Sequence, residues 1–182
     1  MYRIILILTL YCSSAFAEYK LTSLVNNLTS PWSITQVNTD IFLINEKPGK
    51  IKLFDKSNNN LKEIKHNLKV LNHGQGGLMD ILSSNGKIYV SYTEEIGQKM
   101  ESSTSVAVAK FDKKELNFKN IFRSLPPIRS GYHFGSRLVI KNGLLFVSSG
   151  ERGGGDIAQD PTKHPGSIIR IHIDGSIPKD NP

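Results

Sequence analysis

The sequence predicts an all-β protein forming part of a β-propeller, and three observations carry that reading. A short apolar run recurs as Ile41-Phe42-Leu43-Ile44, Ile88-Tyr89-Val90-Ser91 and Leu145-Phe146-Val147-Ser148, each copy about 50 residues after the last. Each copy follows a turn: Asn38-Thr39-Asp40, then Ser84-Asn85-Gly86, then Lys141-Asn142-Gly143. The Asn-Gly pairs in the last two favour tight hairpins, because their backbones accept positive φ at low cost. Finally, no stretch sustains the 3.6-residue apolar period of an amphipathic helix.

The elements follow in order from that repeat. A first strand precedes each turn, at residues 32–37, 78–82 and 137–140, and the recurrent run is the second strand. A third strand with alternating or apolar patterning spans 50–54, 105–111 and 167–173, and a fourth is found twice, at 61–66 and 116–122. The sum is about two and three-quarter four-stranded antiparallel blades, whereas a closed ring takes about four to eight. Three blades alone leave two blade faces open. A β-sandwich of about a dozen short strands is the competing arrangement on strand spacing, but the regular offset between copies favours blades.

Composition narrows the class. With 38% hydrophobic and 21% charged residues, and only 15 glycines and 8 prolines in 182 residues, the chain is neither disordered nor of low complexity. The lone Cys12 excludes an intramolecular disulfide and a cysteine-built zinc or iron–sulfur site. The net charge of +7 comes from lysines scattered among turns, which favours a solvated basic surface over a polyanion site. No basic stripe with interleaved aromatics points to nucleic acid. At the N-terminus, Arg3, the apolar run at 4–11 and Ala15-Phe16-Ala17 read as a secretory signal peptide over 1–17, with Glu18 opening a mature chain of 18–182. That run is shorter than the roughly 20 residues needed to span a bilayer. The expectation is a periplasmic or secreted protein without membrane association after cleavage. Tyr11 is too bulky for a lipoprotein site at Cys12.

Polar groups concentrate in three glycine-rich loops: His73-Gly74-Gln75-Gly76-Gly77, Ser130-Gly131-Tyr132-His133-Phe134-Gly135-Ser136-Arg137 and Ser149-Gly150-Glu151-Arg152-Gly153-Gly154-Gly155-Asp156. In a propeller such loops gather near the axis, so single residues from separate blades can meet one ligand. Each loop is also readable as an ordinary hairpin turn. His133 has the chemistry of a general base, since imidazole titrates near neutral pH, and it is equally readable as a turn histidine. Glu151 is suited to orient it, and Arg137 and Arg152 are suited to an anionic ligand. His73 and His164 read more readily as turn or surface residues. No H-x-H, H-E-x-x-H or carboxylate cluster has metal-site spacing, and no G-x-S-x-G elbow is present.

Taken together, the motifs resemble a known family. They are Pro31-Trp32-Ser33-Ile34, Asn45-Glu46-Lys47-Pro48-Gly49-Lys50-Ile51, Gly74-Gln75-Gly76-Gly77-Leu78-Met79-Asp80, His133-Phe134-Gly135-Ser136-Arg137-Leu138, Gly150-Glu151-Arg152-Gly153, His164-Pro165-Gly166-Ser167 and Asp174-Gly175-Ser176-Ile177-Pro178. In that order they resemble the PQQ-dependent glucose/sorbosone dehydrogenases, including the soluble aldose sugar dehydrogenases. The resemblance implies a partial six-bladed propeller, with PQQ and Ca2+ as cofactors and an aldose as substrate. It implies oxidation of the C1 hydroxyl to the lactone by hydride transfer to the quinone. His133 matches the catalytic base, and Gln75 matches a glutamine lining the quinone pocket. Glu151 stands where the family usually has an aspartate beside the histidine, so the extra methylene alters that geometry. In the family, the calcium-holding carbonyls and the cations facing PQQ follow the last motif. The resemblance therefore implies the N-terminal half of such an enzyme, poor at retaining the cofactors and inactive alone. The alternative is an exported, non-catalytic module binding a sugar or a partner, or a half-propeller that pairs with a second chain or with itself.

Overall fold

The computed structural model describes residues 19–181, so the signal-peptide expectation at 1–17 lies outside the described residues. Three antiparallel sheets follow one another along the chain as propeller blades. Blade one is β1 (Pro31–Gln36), β2 (Ile41–Glu46), β3 (Lys50–Asp55) and β4 (Asn60–His66). Blade two is β5 (Leu78–Ser84), β6 (Lys87–Glu95), β7 (Ser102–Lys110) and β9 (Lys119–Arg123). Blade three is β10 (Gly135–Lys141), β11 (Leu144–Ser149) and β12 (Ile168–His172).

The three hairpins expected from the turns are present, with Asn85 and Asn142 at positive φ and β5–β6 and β10–β11 in antiparallel register. The expected fourth strand at 116–122 divides instead. Residues Glu115–Leu116 form β8, which pairs in parallel with β4 and so extends blade one, while Lys119–Arg123 pairs with β7. The cause is the side chains around the break. Leu116 and Phe118 are buried in the apolar cluster shared with blade one. Asn67 then clamps the Phe118 backbone, donating to its carbonyl at 3.0 Å and accepting its N–H at 2.8 Å. A short 3-10 turn at Gly155–Gln159, with no apolar period to announce it, interrupts the connection from β11 to β12.

Each innermost strand opens with a β-bulge, lying between Pro31 and Ser33, between Leu78 and Ile81, and between Gly135 and Leu138. An extra residue in one strand frees its neighbours from the ladder and turns them toward other partners. Ser33, Asp80 and Arg137 occupy these places in successive blades, and they meet. The Ser33 hydroxyl donates to Asp80 Oδ1 at 2.5 Å, Arg137 donates to the same oxygen at 3.1 Å, and the Leu138 N–H donates to Oδ2 at 2.9 Å. Asp80 is buried, and with so many donors its carboxylate ties three blades at one point.

Away from that point the blades hold together by apolar packing. Ile41, Leu43, Ile51 and Leu53 of blade one meet Ile81, Ile88 and Val90 of blade two. Tyr89 and Val106 of blade two meet Leu138, Leu145 and Val147 of blade three. Among the described residues no helix is long and apolar enough to cross a membrane.

Candidate functional site

The three glycine-rich loops meet one another, which brings together His133, Gln75 and Glu151. Two glycines make the approach possible. A Cβ at Gly74 would lie 2.4 Å from the Gly131 carbonyl oxygen, and one at Gly150 would lie 1.9 Å from the His133 carbonyl oxygen. Any side chain at either place would drive the loops apart. The Gln75 N–H donates to the Gly131 carbonyl at 2.7 Å, and the His133 N–H donates back to Gln75 Oε1 at 2.8 Å. This fixes the amide orientation and leaves the Gln75 NH2 group free to donate to a ligand. Lys47 closes the near side, with its ammonium donating to the Gly74 carbonyl at 2.5 Å.

His133 itself sits at positive φ (49°), a conformation uncommon outside glycine and found where surrounding structure enforces it. Its ring Nδ1 is hydrogen-bonded to Glu151 Oε1. The longer side chain of glutamate therefore reaches the imidazole. Glu151 also accepts the Gly153 N–H at 3.2 Å. The His133 hydrogen bond first, and backbone N–H groups after it, hold the Glu151 carboxyl below the ordinary glutamate range. An ionised carboxylate only accepts, so Nδ1 is the donor of this pair, and in the neutral imidazole Nε2 then presents its lone pair. The ring is about half exposed, at 53%, so that lone pair is accessible to a ligand.

Arg152 does something different from the expected anion binding. It is 3% exposed, and its guanidinium donates to the carbonyls of Ser102 at 2.8 Å, Tyr132 at 3.0 Å and Ser130, and to the Ser102 hydroxyl at 3.0 Å. It also lies 3.6 Å from the centre of the buried Phe134 ring. Burial lowers its pKa to about 10, which still leaves it charged at neutral pH. Arg152 is thus the internal strut of the His133 loop, with its donors occupied by backbone. The glycines around it were the only signal in the sequence, and they gave no sign of burial.

Arg137 keeps an exposed side chain, but one edge of it is held by Asp80. The His73 ring packs beside Gly131, at 3.2 Å from where a Cβ there would stand. His164 accepts the Leu125 N–H at 2.9 Å and packs on Phe122, and burial lowers its pKa; none of these contacts belongs to the His133 cluster. Tyr132, 61% exposed with its ring 6.2 Å from that of His133, lines the site and escaped the sequence reading, although it directly precedes the histidine. Among the described residues, no three His, Cys, Asp or Glu side chains are grouped to hold a metal.

The arrangement is that of a propeller loop cluster offering a carboxylate-oriented imidazole and a free amide. Comparison with known proteins agrees with the fold. The family model for glucose/sorbosone dehydrogenases matches residues 28–182. The Aldose sugar dehydrogenase YliI of Escherichia coli (strain K12) is 36% identical over 119 residues, covering 60% of this chain and 32% of that protein. A solved glucose dehydrogenase superposes with a TM-score of 0.83 at 31% identity, covering 88% of this chain and 50% of its own. The PQQ-bound form of aldose sugar dehydrogenase from Streptomyces coelicolor shares the fold, with a TM-score of 0.73 at 22% identity over 89% of this chain and 50% of that one. The chain spans about half the length of these solved relatives. With a family match over nearly all the described residues and the fold in agreement, the chain belongs to the glucose/sorbosone dehydrogenase family.

Proposed function

We propose that this chain carries the base and one wall of the site of a PQQ-dependent aldose dehydrogenase, exported by its leader to the periplasm or the cell exterior. The observation that supports this most is the His133–Glu151 pair beside the free amide of Gln75. Bound PQQ would supply the hydride acceptor. His133 Nε2 takes the proton from the C1 hydroxyl of the sugar, and Glu151 stabilises the imidazolium that forms. Gln75 donates its NH2 group to a quinone or sugar oxygen, and Tyr132 flanks the ring face.

The donor set fits only the quinone-facing edge of PQQ. Three carboxylates need several cations, yet Arg152 is spent on backbone carbonyls and Arg137 is partly held by Asp80. No metal-ligand cluster for Ca2+ stands among the described residues. The isolated chain with PQQ and Ca2+ is therefore expected to reduce an artificial dye far more slowly than a full-length relative, and comparable rates would overturn that expectation.

The role of His133 is tested in a chimera in which residues 28–181 replace the matching stretch of the E. coli relative. Aldose-dependent dye reduction is expected, and His133→Ala should lower it by about 10²- to 10⁴-fold without loss of PQQ absorbance. Turnover undiminished in a folded, PQQ-loaded His133→Ala chimera would remove His133 from the role.

A further inference from the structure

We propose that Phe134 is a positioning residue, a buried ring behind the turn that holds the His133 imidazole against Glu151 and beside Gln75. Its role as a spacer is read from geometry, and its consequence for turnover rests on His133 acting as the base.

The backbone beneath the imidazole is a strained turn. His133, Gly135 and Ser136 have φ of 49°, 70° and 80°, and Phe134 alone of residues 133–136 stands outside the left-handed region. Such conformations at His133 and Ser136 persist only where neighbours enforce them. The imidazole, about half exposed and tied through Nδ1 to Glu151, is not itself packed firmly enough to do so. Phe134 supplies the restraint twice. Its carbonyl is one fixed point: the hydroxyl of Thr104, a residue of β7 that is 1% exposed, donates to it at 2.8 Å, the Gly150 N–H at 3.2 Å and the Ser136 hydroxyl at 3.3 Å.

Its ring is the other. Phe134 is buried, the Arg152 guanidinium lies over the ring, and the Cε2–Cζ edge lies so close to Gly76 that a Cβ there would stand 2.8 Å from both atoms. Gly76 adjoins Gln75 and Arg152 adjoins Glu151, so one ring sets the gap between the two loops whose side chains flank His133. On the Arg152 side a desolvated cation–π contact adds attraction. On the Gly76 side the contact is steric, and the size of the ring fixes the distance. Displacement by about 1 Å at a site of this kind costs on the order of 10²-fold in rate.

The Glu151 carboxyl reads the position of the imidazole without turnover, because the His133 hydrogen bond is the largest cause holding that carboxyl below the ordinary glutamate range. Phe134→Leu keeps the place apolar but withdraws the ring edge and the stacking face. Thr104→Val keeps the shape and removes one donor, and Thr104→Ser returns it. By carboxyl carbon NMR on the chain itself, Phe134→Leu and Thr104→Val should each move the Glu151 titration toward the ordinary range, with Thr104→Ser at the wild-type value. Leu53→Ala, which weakens the apolar packing of blade one, should leave it in place. In the chimera, Phe134→Leu should lower kcat by about 10²-fold with the aldose KM and the PQQ absorbance little changed. Should Phe134→Leu fail to fold, the two Thr104 variants decide, through movement in valine and recovery in serine. A Glu151 titration that neither Phe134→Leu nor Thr104→Val moves overturns the proposal, and so does one that Leu53→Ala moves equally. A titration shifted by Phe134→Leu alongside turnover that survives His133→Ala would uphold Phe134 as the spacer and remove His133 as the base, which keeps the two failures apart.

Discussion

The junction between blades one and two and the junction between blades two and three are built on different principles. The first is mostly apolar, with Leu43, Ile51 and Leu53 packed on Ile81, Ile88 and Val90. The second has a smaller apolar cluster and a charged upper part, where Asp80 and the buried Arg152 tie backbone from several loops. Apolar burial is strong but indifferent to direction. Charge-assisted hydrogen bonds fix atoms in place and leave costly vacancies when broken. The His133 loop stands over the second kind of junction, where position matters more than total binding energy.

That contrast can be broken from either side. Leu53→Ala, at a 2% exposed position, should cost about 3–4 kcal/mol in urea unfolding and leave the NMR signals of the His133 loop in place. Arg152→Met should cost somewhat less, about 2–3 kcal/mol, because the carbonyls it satisfied become unpaired, but it should broaden or shift the His133 and Tyr132 signals. Equal disturbance of that loop by both substitutions would show that the two junctions do not differ in this way.

The smallest effect concerns Glu151. Its carboxyl titrates below the ordinary glutamate range, so the folded state binds the proton less readily than the unfolded one. Its stabilising contribution is therefore fully present above that ordinary range and is lost as pH falls through the lowered folded value. His133→Ala removes the largest cause and should bring the Glu151 pKa back toward the ordinary range, as read by carboxyl carbon NMR. An unmoved titration would mean that backbone N–H groups alone hold the carboxylate.

The strands were legible because a hairpin announces itself locally, through Asn85-Gly86 or Asn142-Gly143 between apolar runs. The split at residues 115–123 was not, since Leu116 and Phe118 take their places from contacts with blade one, far back in the chain. In the site, His133 and the carboxylate of Glu151 suited to orient it were visible from their chemistry, and Gln75 was placed at the site through the family resemblance. The function of Arg152 was hidden because an arginine in a glycine-rich loop looks the same in sequence whether it faces a ligand or four backbone carbonyls. Asp80 stands in the sequence as one member of a motif, and only the bulges reveal that it joins three blades.

The repeated bulge has a consequence for how such a molecule can change over generations. Each blade brings both halves of its attachment: a carbonyl freed by its own bulge, and a hydrogen-bonding side chain on its second strand reaching for the next. A duplicated segment of about 50 residues thus arrives with a ready-made joint and need not invent one. Selection is then left free to rewrite the connecting loops, where His133 and Glu151 reside, while the joint keeps its place on each blade even as its side chain changes from Asn45 to Ser91.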